Sequence, residues 1–479
     1  MPSPTEASGE GHATVTRRIS HFFISRDFAL LWGGQAISDI GDFVYDTTLV
    51  LWIATRLAHG QPWAPLAVSG LFLARALPTV LVGPLAGVFV DRWDKRQTLL
   101  RMDLLRAALI LLLVPLPLMS GHGLAPARQA ALIYGVVILA TICGQFFTPA
   151  RRALLGDLVA EPERARASGL QQVTMNLAVI IGPPLATPLF FGLGVEWALI
   201  VNAASFVLSF LAVLAIRMPP VAARDDDGGP QAIMREFGAG LRFFRGEHVL
   251  MTLLITTVVV TLGGGAIDAL NIFFVTRNLH APTAFYGFLG AAQGVGAIVG
   301  AVLAGLFAGR IGVARTFWLS LLFAGVITLA YARMTSFLPA AILLCAIGVP
   351  VAALNVALGP LLLHVTPRAF VGRVTAVLVP AVNLALVVSI AAAGFLSSTV
   401  LRTLNVTILG VRWGPIDTIF AVSGVLVLAG GLYARANLRA VTLTTNSPTA
   451  PPPPVPHVDD PTHGAATPDA HPSRSLPER

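Results

Sequence analysis

Long runs of apolar residues constrain this chain more than any other feature. They recur along most of the sequence in blocks of about 20 residues, the length of helix that crosses a bilayer core of ~30 Å. Charged residues make up 12% of the chain, which is about half the share found in a soluble domain. The pattern therefore predicts an all-α integral membrane protein.

The apolar runs predict twelve membrane-spanning helices. Their approximate bounds are 28–55, 65–89, 98–118, 129–149, 168–191, 195–216, 249–275, 284–308, 316–332, 338–363, 375–398 and 415–436. A tight turn near Gly192–Glu196 separates the fifth span from the sixth.

Three polar segments lie outside the spans. Residues 1–26 read as a cytoplasmic tail, and residues 217–248 read as a cytoplasmic linker with a short interfacial helix. Residues 438–479 are rich in proline and lack apolar periodicity, so they predict a disordered cytoplasmic tail.

Arginines indicate the orientation. With both termini inside, the inner loops and tails hold about four times as many arginines as the outer loops. The net charge of +8 is thereby assigned to contact with the lipid bilayer and not to nucleic acid. We expect a multi-pass protein of the bacterial inner membrane.

Two stretches recur in the two halves of the chain. GVFVDRWDKR (87–96) corresponds to GLFAGRIGVAR (305–315), and RASGLQQVTMNLA (166–178) corresponds to RVTAVLVPAVNLA (373–385). Each pair holds matching places in a six-plus-six repeat, which is typical of two-bundle transporters. We expect six-helix bundles over 27–216 and 249–437.

The motif G-x-x-x-D-R-x-x-K-R at 87–96 resembles the signature loop between helices 2 and 3 of the major facilitator superfamily. The resemblance covers about residues 26–437. Segments such as SDIGD (38–42), FFTPARRALLGDLV (146–159) and TPRAFVGRV (366–374) resemble bacterial enterobactin exporters and macrolide or multidrug efflux proteins. The resemblance implies the major facilitator fold.

The same resemblance implies a cytoplasmic gate. In the superfamily, the aspartate equivalent to Asp91 lies against the N-terminal end of helix 11, here around Gly372–Thr375, when the inner side is closed. Asp103 and Arg106 lie close to the loop in sequence and are expected to join its charge network. The predicted gate comprises Gly87, Asp91, Arg92, Lys95, Arg96, Asp103, Arg106 and Arg373.

Helix 1 carries Asp39, Asp42 and Asp46. Their spacing of three and four residues puts all three on one helical face, which must look into a bundle or a cavity. One interpretation is structural and pairs Asp42 with Arg75 of helix 2, at a similar depth. The other gives these acids, Asp46 above all, a role in exchanging a proton for a substrate.

Helix 7 carries Asp268 and Asn271 after the run Gly263–Gly265. Helix 7 is the counterpart of helix 1 in the second half, so facing acids at a central cavity are expected. The alternative is a hydrogen-bonded packing role. The glycines permit bending or close helix approach.

Helix 5 contains IGPPLAT (181–187). Gly182, Pro183 and Pro184 predict a kink that can act as a hinge. The stretch resembles an antiporter signature but has Ala186–Thr187 where two glycines are usual.

These features predict a secondary-active exporter of small amphipathic molecules (drug, siderophore or metabolite), coupled to proton antiport by alternating access. No enzymatic motif occurs, so no catalytic residue, cofactor or metal site is predicted. The small-molecule substrate and the proton are the expected partners of a monomer. An uncoupled facilitator or importer, or a receptor or scaffold acting through the proline-rich tail, remains open.

Overall fold

The computed structural model describes residues 24–117, 119, 125–217, 246–367, 370–408 and 411–438. The predicted tail up to residue 23, the linker from 218 to 245 with its interfacial helix, and the tail from 439 onward lie outside the described residues.

Twelve long helices form within the described ranges. The first six are α1 (Arg26–Trp52), α2 (Ala64–Arg92), α3 (Lys95–Leu111), α4 (Pro126–Leu158), α5 (Arg164–Pro188) and α6 (Val195–Leu214). The second six are α7 (His248–Phe273), α8 (Tyr286–Ile311), α9 (Val313–Tyr331), α10 (Phe337–Val365), α11 (Val371–Ser398) and α12 (Pro415–Leu438). The prediction of an all-α fold with twelve helices is confirmed.

Ten of these helices are long and apolar enough to cross a membrane by length and composition. The other two are α1, which carries three aspartates in its middle, and α3, which has 17 residues and begins with Lys95–Arg96. Outward-facing leucines such as Leu112, Leu306 and Leu338 are 66%, 65% and 69% exposed. Such a surface suits lipid and would be an unfavourable apolar patch in water.

Short local signals set the helix ends. Asp94 caps α3, because its carboxylate accepts a hydrogen bond of 2.7 Å from the backbone N–H of Gln97. Gly312, with φ of 92°, separates α8 from α9, and Gly194, with φ of 108°, precedes α6. Both φ values lie where glycine is favoured, and Gly194 confirms the turn predicted between the fifth and sixth helices.

The packing of the second six helices repeats that of the first six. In the amino-terminal bundle, α1 packs on α5 and α6, α2 packs on α4, and α3 packs on α4 and α6. In the carboxy-terminal bundle, α7 packs on α11 and α12, α8 packs on α10, and α9 packs on α10 and α12. The main contacts between the bundles are α2 with α11 and α5 with α8. Replacing each helix by its counterpart in the other bundle converts one of these contacts into the other.

A β-hairpin that sequence reasoning missed joins α11 to α12. Strand β1 (Val406–Ile408) pairs antiparallel with β2 (Val411–Trp413), with Val406 opposite Trp413. Asp417, at the start of α12, accepts hydrogen bonds from the backbone N–H of Gly414 at 3.0 Å and from the side chain of Asn278. The start of α12, which directly follows the hairpin, is therefore tied to Asn278, five residues beyond the end of α7.

Successive helices run in opposite directions, so their connections fall on two faces. The hairpin face carries β1 and β2, and the α2–α3 face carries the loop after Arg92. At the hairpin face the bundles touch: the N–H of Leu66 donates to Ser398 Oγ at 3.1 Å, and Gly394 packs on Ser69.

Toward the α2–α3 face the same helices separate. A β-carbon built at Gly87 of α2, Gly372 of α11, Gly169 of α5 or Gly305 of α8 would meet no described atom within 4 Å. The space between the bundles is therefore closed at the hairpin face and open toward the α2–α3 face.

Gly287 offers a test of this closure. A β-carbon there would clash with the backbone carbonyl of Pro183 in α5, whereas one at Gly290, one turn along α8, would touch the Pro183 ring at an ordinary 3.6 Å. We expect Gly287→Ala to push α5 and α8 apart at the hairpin face and Gly290→Ala to leave them in place.

Spin labels at Leu193 and Phe285, with Cys143 and Cys345 replaced by serine, measure this separation by electron–electron double resonance. The mean distance should increase in Gly287→Ala alone. Identical distance distributions in both variants would contradict the packing.

Candidate functional site

The three aspartates of α1 each face an arginine from a different helix. Arg151 of α4 lies 3.8 Å from Asp39, Arg106 of α3 lies 2.8 Å from Asp42, and Arg75 of α2 is ion-paired with Asp46. The prediction that the three acids share one inward face of the helix is confirmed.

The predicted pairing of Asp42 with Arg75 is wrong. Arg75 binds Asp46, one turn further along α1, and Asp42 is bound by Arg106. Asp42 and Asp46 differ in depth by about one helical turn, or 5.4 Å. Helix ends predicted from the sequence are too uncertain to distinguish two positions this close.

Asp103 and Arg106 lie inside the amino-terminal bundle. The prediction that they join the charge network of the α2–α3 loop is therefore wrong. The carboxylate of Asp103 is fully buried and accepts a hydrogen bond of 2.6 Å from Ser209 Oγ, which in turn accepts one from Gln35. The guanidinium of Arg106 lies 3.9 Å from the centroid of the Phe206 ring. These contacts join α1, α3 and α6 through one polar network.

A cavity of about 230 Å³ lies between the two bundles. The amino-terminal bundle contributes the Asp46–Arg75 pair, and the carboxy-terminal bundle contributes Asp268 and Asn271. The prediction that acids from α1 and α7 face a common central space therefore matches the geometry. The remaining lining residues are Phe43, Thr47, Val50, Leu71, Phe72, Val179, Pro183, Tyr286, Gly290 and Gln293.

Asp268 and Asn271 differ in their surroundings. Asp268 is exposed to the cavity, and it forms no ion pair or hydrogen bond within the described part of the chain. Asn271 is buried and accepts a hydrogen bond of 2.6 Å from Tyr331 Oη of α9. Asn271 is thus oriented by packing, whereas Asp268 leaves a carboxyl group free in the cavity.

Glycines of α7 allow close helix approach. A β-carbon at Gly263 would lie 2.9 Å from the carbonyl oxygen of Ser423 in α12, and one at Gly265 would lie 2.9 Å from Leu386 in α11. Of the two roles considered for this glycine run, the structure shows the close packing.

Two of the predicted gate cations, at the start of α3, bind within their own bundle. Lys95 Nζ pairs with Asp157 of α4 at 2.6 Å, and Arg96 donates to the carbonyl oxygens of Val213 and Leu214 at the end of α6. Arg92 is exposed beside them.

Asp91 is exposed on the open face. Across that face, Thr375 is exposed and bonds to its own helix, and the Arg373 guanidinium lies 4.9 Å from the centroid of the Phe370 ring. Within the described residues Asp91 makes no recorded hydrogen bond or ion pair with Gly372–Thr375, so the expected contact stays a prediction.

The predicted hinge of α5 lies where three helices meet. Gly182 packs against Phe43 of α1, and the Pro183 carbonyl lies against Gly287 of α8. The helix continues through Pro183 and Pro184 to Pro188.

Tyr286 and Gln293 line the cavity from α8, and neither was predicted as a site residue. Tyr286 stands at the first position of α8, where a sequence pattern does not distinguish a cavity residue from a membrane-interface anchor.

Comparisons with known proteins place this geometry in a family. A sequence profile described as transmembrane secretion effector matches residues 22–458. The MFS-type transporter YfiS of Bacillus subtilis (strain 168) is 25% identical over 278 residues, which span 57% of this chain and 63% of YfiS. Macrolide efflux protein A of Streptococcus pyogenes is 22% identical over 280 residues, which span 58% of this chain and 66% of that protein. The chain thus matches slightly less than two thirds of the length of either relative.

A solved structure shares the fold. The crystal structure of a bacterial homologue of the iron transporter ferroportin, in an inward-facing state, matches with a TM-score of 0.68 and 14% identity, over 86% of this chain and 98% of the other.

Substitution of Arg106 tests how much the polar network contributes to stability. The Arg106→Ala change leaves two acids, Asp42 and fully buried Asp103, without their cation. Removing one partner of a buried pair costs about 3–5 kcal/mol, so we expect the free energy of unfolding to fall by about 3 kcal/mol. Unfolding by sodium dodecyl sulfate in mixed micelles measures it.

The matched control is Arg101→Ala on the same helix, because Arg101 is exposed and, within the described part of the chain, donates a single hydrogen bond, to Gln97 at 3.2 Å. Adding Asp103→Asn to Arg106→Ala should recover part of the loss. Equal losses for the two arginine variants would refute the buried network.

Proposed function

The chain belongs to the transmembrane secretion effector family of the major facilitator superfamily, and on this premise we propose that it is a proton-coupled exporter of small amphipathic molecules. The family is a family of transporters, and the relatives of this chain include macrolide efflux protein A of Streptococcus pyogenes. Drugs and secreted metabolites with a cationic group are the proposed substrate class, and the working unit is a monomer.

The observation that carries this proposal is the free carboxyl group of Asp268 in the central cavity. An ionised group at the centre of a bilayer costs ~2.5–3.5 kcal/mol on insertion scales. A proton or a cationic solute offsets that cost, and only one of them can occupy the same carboxylate. Exchange of the two at Asp268 couples their movements in opposite directions.

On the amino-terminal side of the cavity, the Asp46–Arg75 pair has a role different from that of Asp268. Because Asp46 already has a cation, it competes less well for a second one. Arg75 is 41% exposed at its side chain, so its guanidinium can also reach a polar group of the solute. We propose that this pair orients the substrate and that Asp268 exchanges the proton.

Alternating access needs two states, and the described one is open at the α2–α3 face. The arginine distribution favours this face as the cytoplasmic one. In that orientation, the cavity receives its solute from the cytoplasm and releases it after the bundles rock apart at the hairpin face. This direction of transport is export.

An uncoupled facilitator or importer is the second candidate. Ala186 and Thr187 stand in α5 where the antiporter signature has glycines, and both are buried. A facilitator would move its solute down the gradient whatever the state of Asp268.

Transport in everted membrane vesicles separates the two candidates. We expect an ethidium-type cationic dye to accumulate in vesicles that contain the protein, and an uncoupler to abolish this accumulation. Asp268→Asn should remove uphill transport while downhill movement of the dye continues, because the variant keeps the cavity but not the exchangeable proton.

The control is Glu161→Gln, which removes an exposed acid outside the helices that line the cavity. It should transport like the parent chain at equal membrane abundance. Uphill transport that persists in Asp268→Asn, or that ignores the uncoupler, would exclude the proton-coupled proposal and favour the facilitator.

We further propose that Asp91 closes the cytoplasmic side by binding the N-terminal end of α11, whose dipole favours a negative charge by ~0.3–1 kcal/mol. Asp91→Asn should slow transport several-fold without inverting the topology. Initial transport rates and cysteine labelling from each side of the membrane measure the two properties. An unchanged transport rate would contradict the gating role of Asp91 and leave the loop only a role in membrane topology.

A further inference from the structure

A second cavity, of about 300 Å³, lies in the amino-terminal bundle toward the α2–α3 face. Helix α1 contributes Trp32, Gln35 and Asp39, and α4 contributes Arg151 and Arg152. Helix α5 supplies hydroxyl and amide side chains and one thioether. These are Ser168, Gln171, Gln172, Thr174 and Met175.

This cavity is separate from the central one. The two share none of their described lining residues. Asp39 and Asp46 are seven positions apart, which is about 10 Å along a helix.

The charges of the second cavity do not balance. It holds two arginines and one carboxylate. Arg151 lies 3.8 Å from Asp39, beyond hydrogen-bond distance, and donates one hydrogen bond of 3.2 Å to Gln35 Oε1. Its Nε is buried and has no hydrogen-bond partner in the described chain.

Arg152 is the accessible cation of this cavity. Its side chain is exposed, and it makes no ion pair or hydrogen bond with the residues that the structure describes. A guanidinium in a partly enclosed site binds planar oxyanions through two parallel hydrogen bonds. Asp39 lies within ion-pair distance of Arg151, so the positive charge of Arg152 is the one left unbalanced, and it favours an anion over a cation.

We propose that this cavity binds the carboxylate or phosphate group of a small amphipathic anion. Arg152 binds the oxygens directly, and Arg151 adds positive charge behind it. The amides of Gln171 and Gln172 donate further hydrogen bonds, and the indole of Trp32 contacts the apolar part of the ligand. The anion comes from a free organic acid or from the headgroup of an anionic lipid.

This proposal is independent of proton coupling, because it concerns binding at a site outside the central cavity. Its test therefore needs no transport. Calorimetric titration of the purified full chain in an uncharged detergent, at constant ionic strength, compares benzoate with benzamide, a neutral molecule of the same shape.

We expect benzoate to bind at least ~10-fold more tightly than benzamide, since hydrogen bonds to a charged group account for such a difference. Arg152→Ala should weaken benzoate binding by ~10-fold or more and leave benzamide unchanged. Arg101→Ala is the matched control, because Arg101 is an exposed arginine on the same face and outside this cavity. Unchanged melting temperatures confirm that both variants are folded.

A second experiment tests whether the bound anion is a lipid headgroup. Native mass spectrometry counts the phosphatidylglycerol molecules retained by the parent chain, Arg152→Ala and Arg101→Ala, with phosphatidylcholine as the neutral reference. Binding of benzoate that depends on Arg152 assigns the site to free organic acids. Retention of phosphatidylglycerol that depends on Arg152, without benzoate binding, assigns it to lipid headgroups. If neither anion depends on Arg152, the proposal is overturned.

Discussion

The neutralisation of three aspartates on one helix is the interaction on which the amino-terminal bundle depends. Each unpaired charge at the centre of a bilayer costs ~2.5–3.5 kcal/mol, and α1 carries three. The arginines that face them come from α2, α3 and α4. The acids therefore fix the rotation of α1 and tie it to three neighbours at three depths. A helix too charged to count as a membrane span by composition is held in the bundle by those same charges.

The carboxy-terminal bundle contains several close backbone contacts. Its helices approach through glycines: β-carbons at Gly296 and Gly300 of α8, or at Gly348 of α10, would clash with the backbone of the opposing helix. Small residues at such contacts are the usual means of helix association in lipid. The two bundles repeat the same pattern of helix contacts, although the three aspartate–arginine pairs occur in the first. Among the described residues that line the central cavity, the acid without an ion pair is Asp268, on the second bundle's side.

The sequence predicted the helices, the repeat and the acids that meet at the centre, because apolar length and helical spacing are local properties. It did not predict which arginine binds which aspartate, since Asp42 and Asp46 differ by one turn and share a face. Asp103 and Arg106 were assigned to the nearby loop because closeness in sequence was the only measure available. Their partners, Ser209 and Asp42, are distant in sequence. The hairpin was missed because each strand has three residues, too few to show an alternating pattern.

Lys95 is a site at which the side chains of this protein can be modified selectively. It is the one lysine in the sequence, and its amine is held by Asp157 where α3 begins beside the end of α4. The contact with Asp157 limits the access of an acylating reagent to this amine. Lys95 is therefore the single lysine side chain that such reagents can modify, and the extent of its modification, measured on the peptide that contains it, reports on the contact between α3 and α4 without an engineered label.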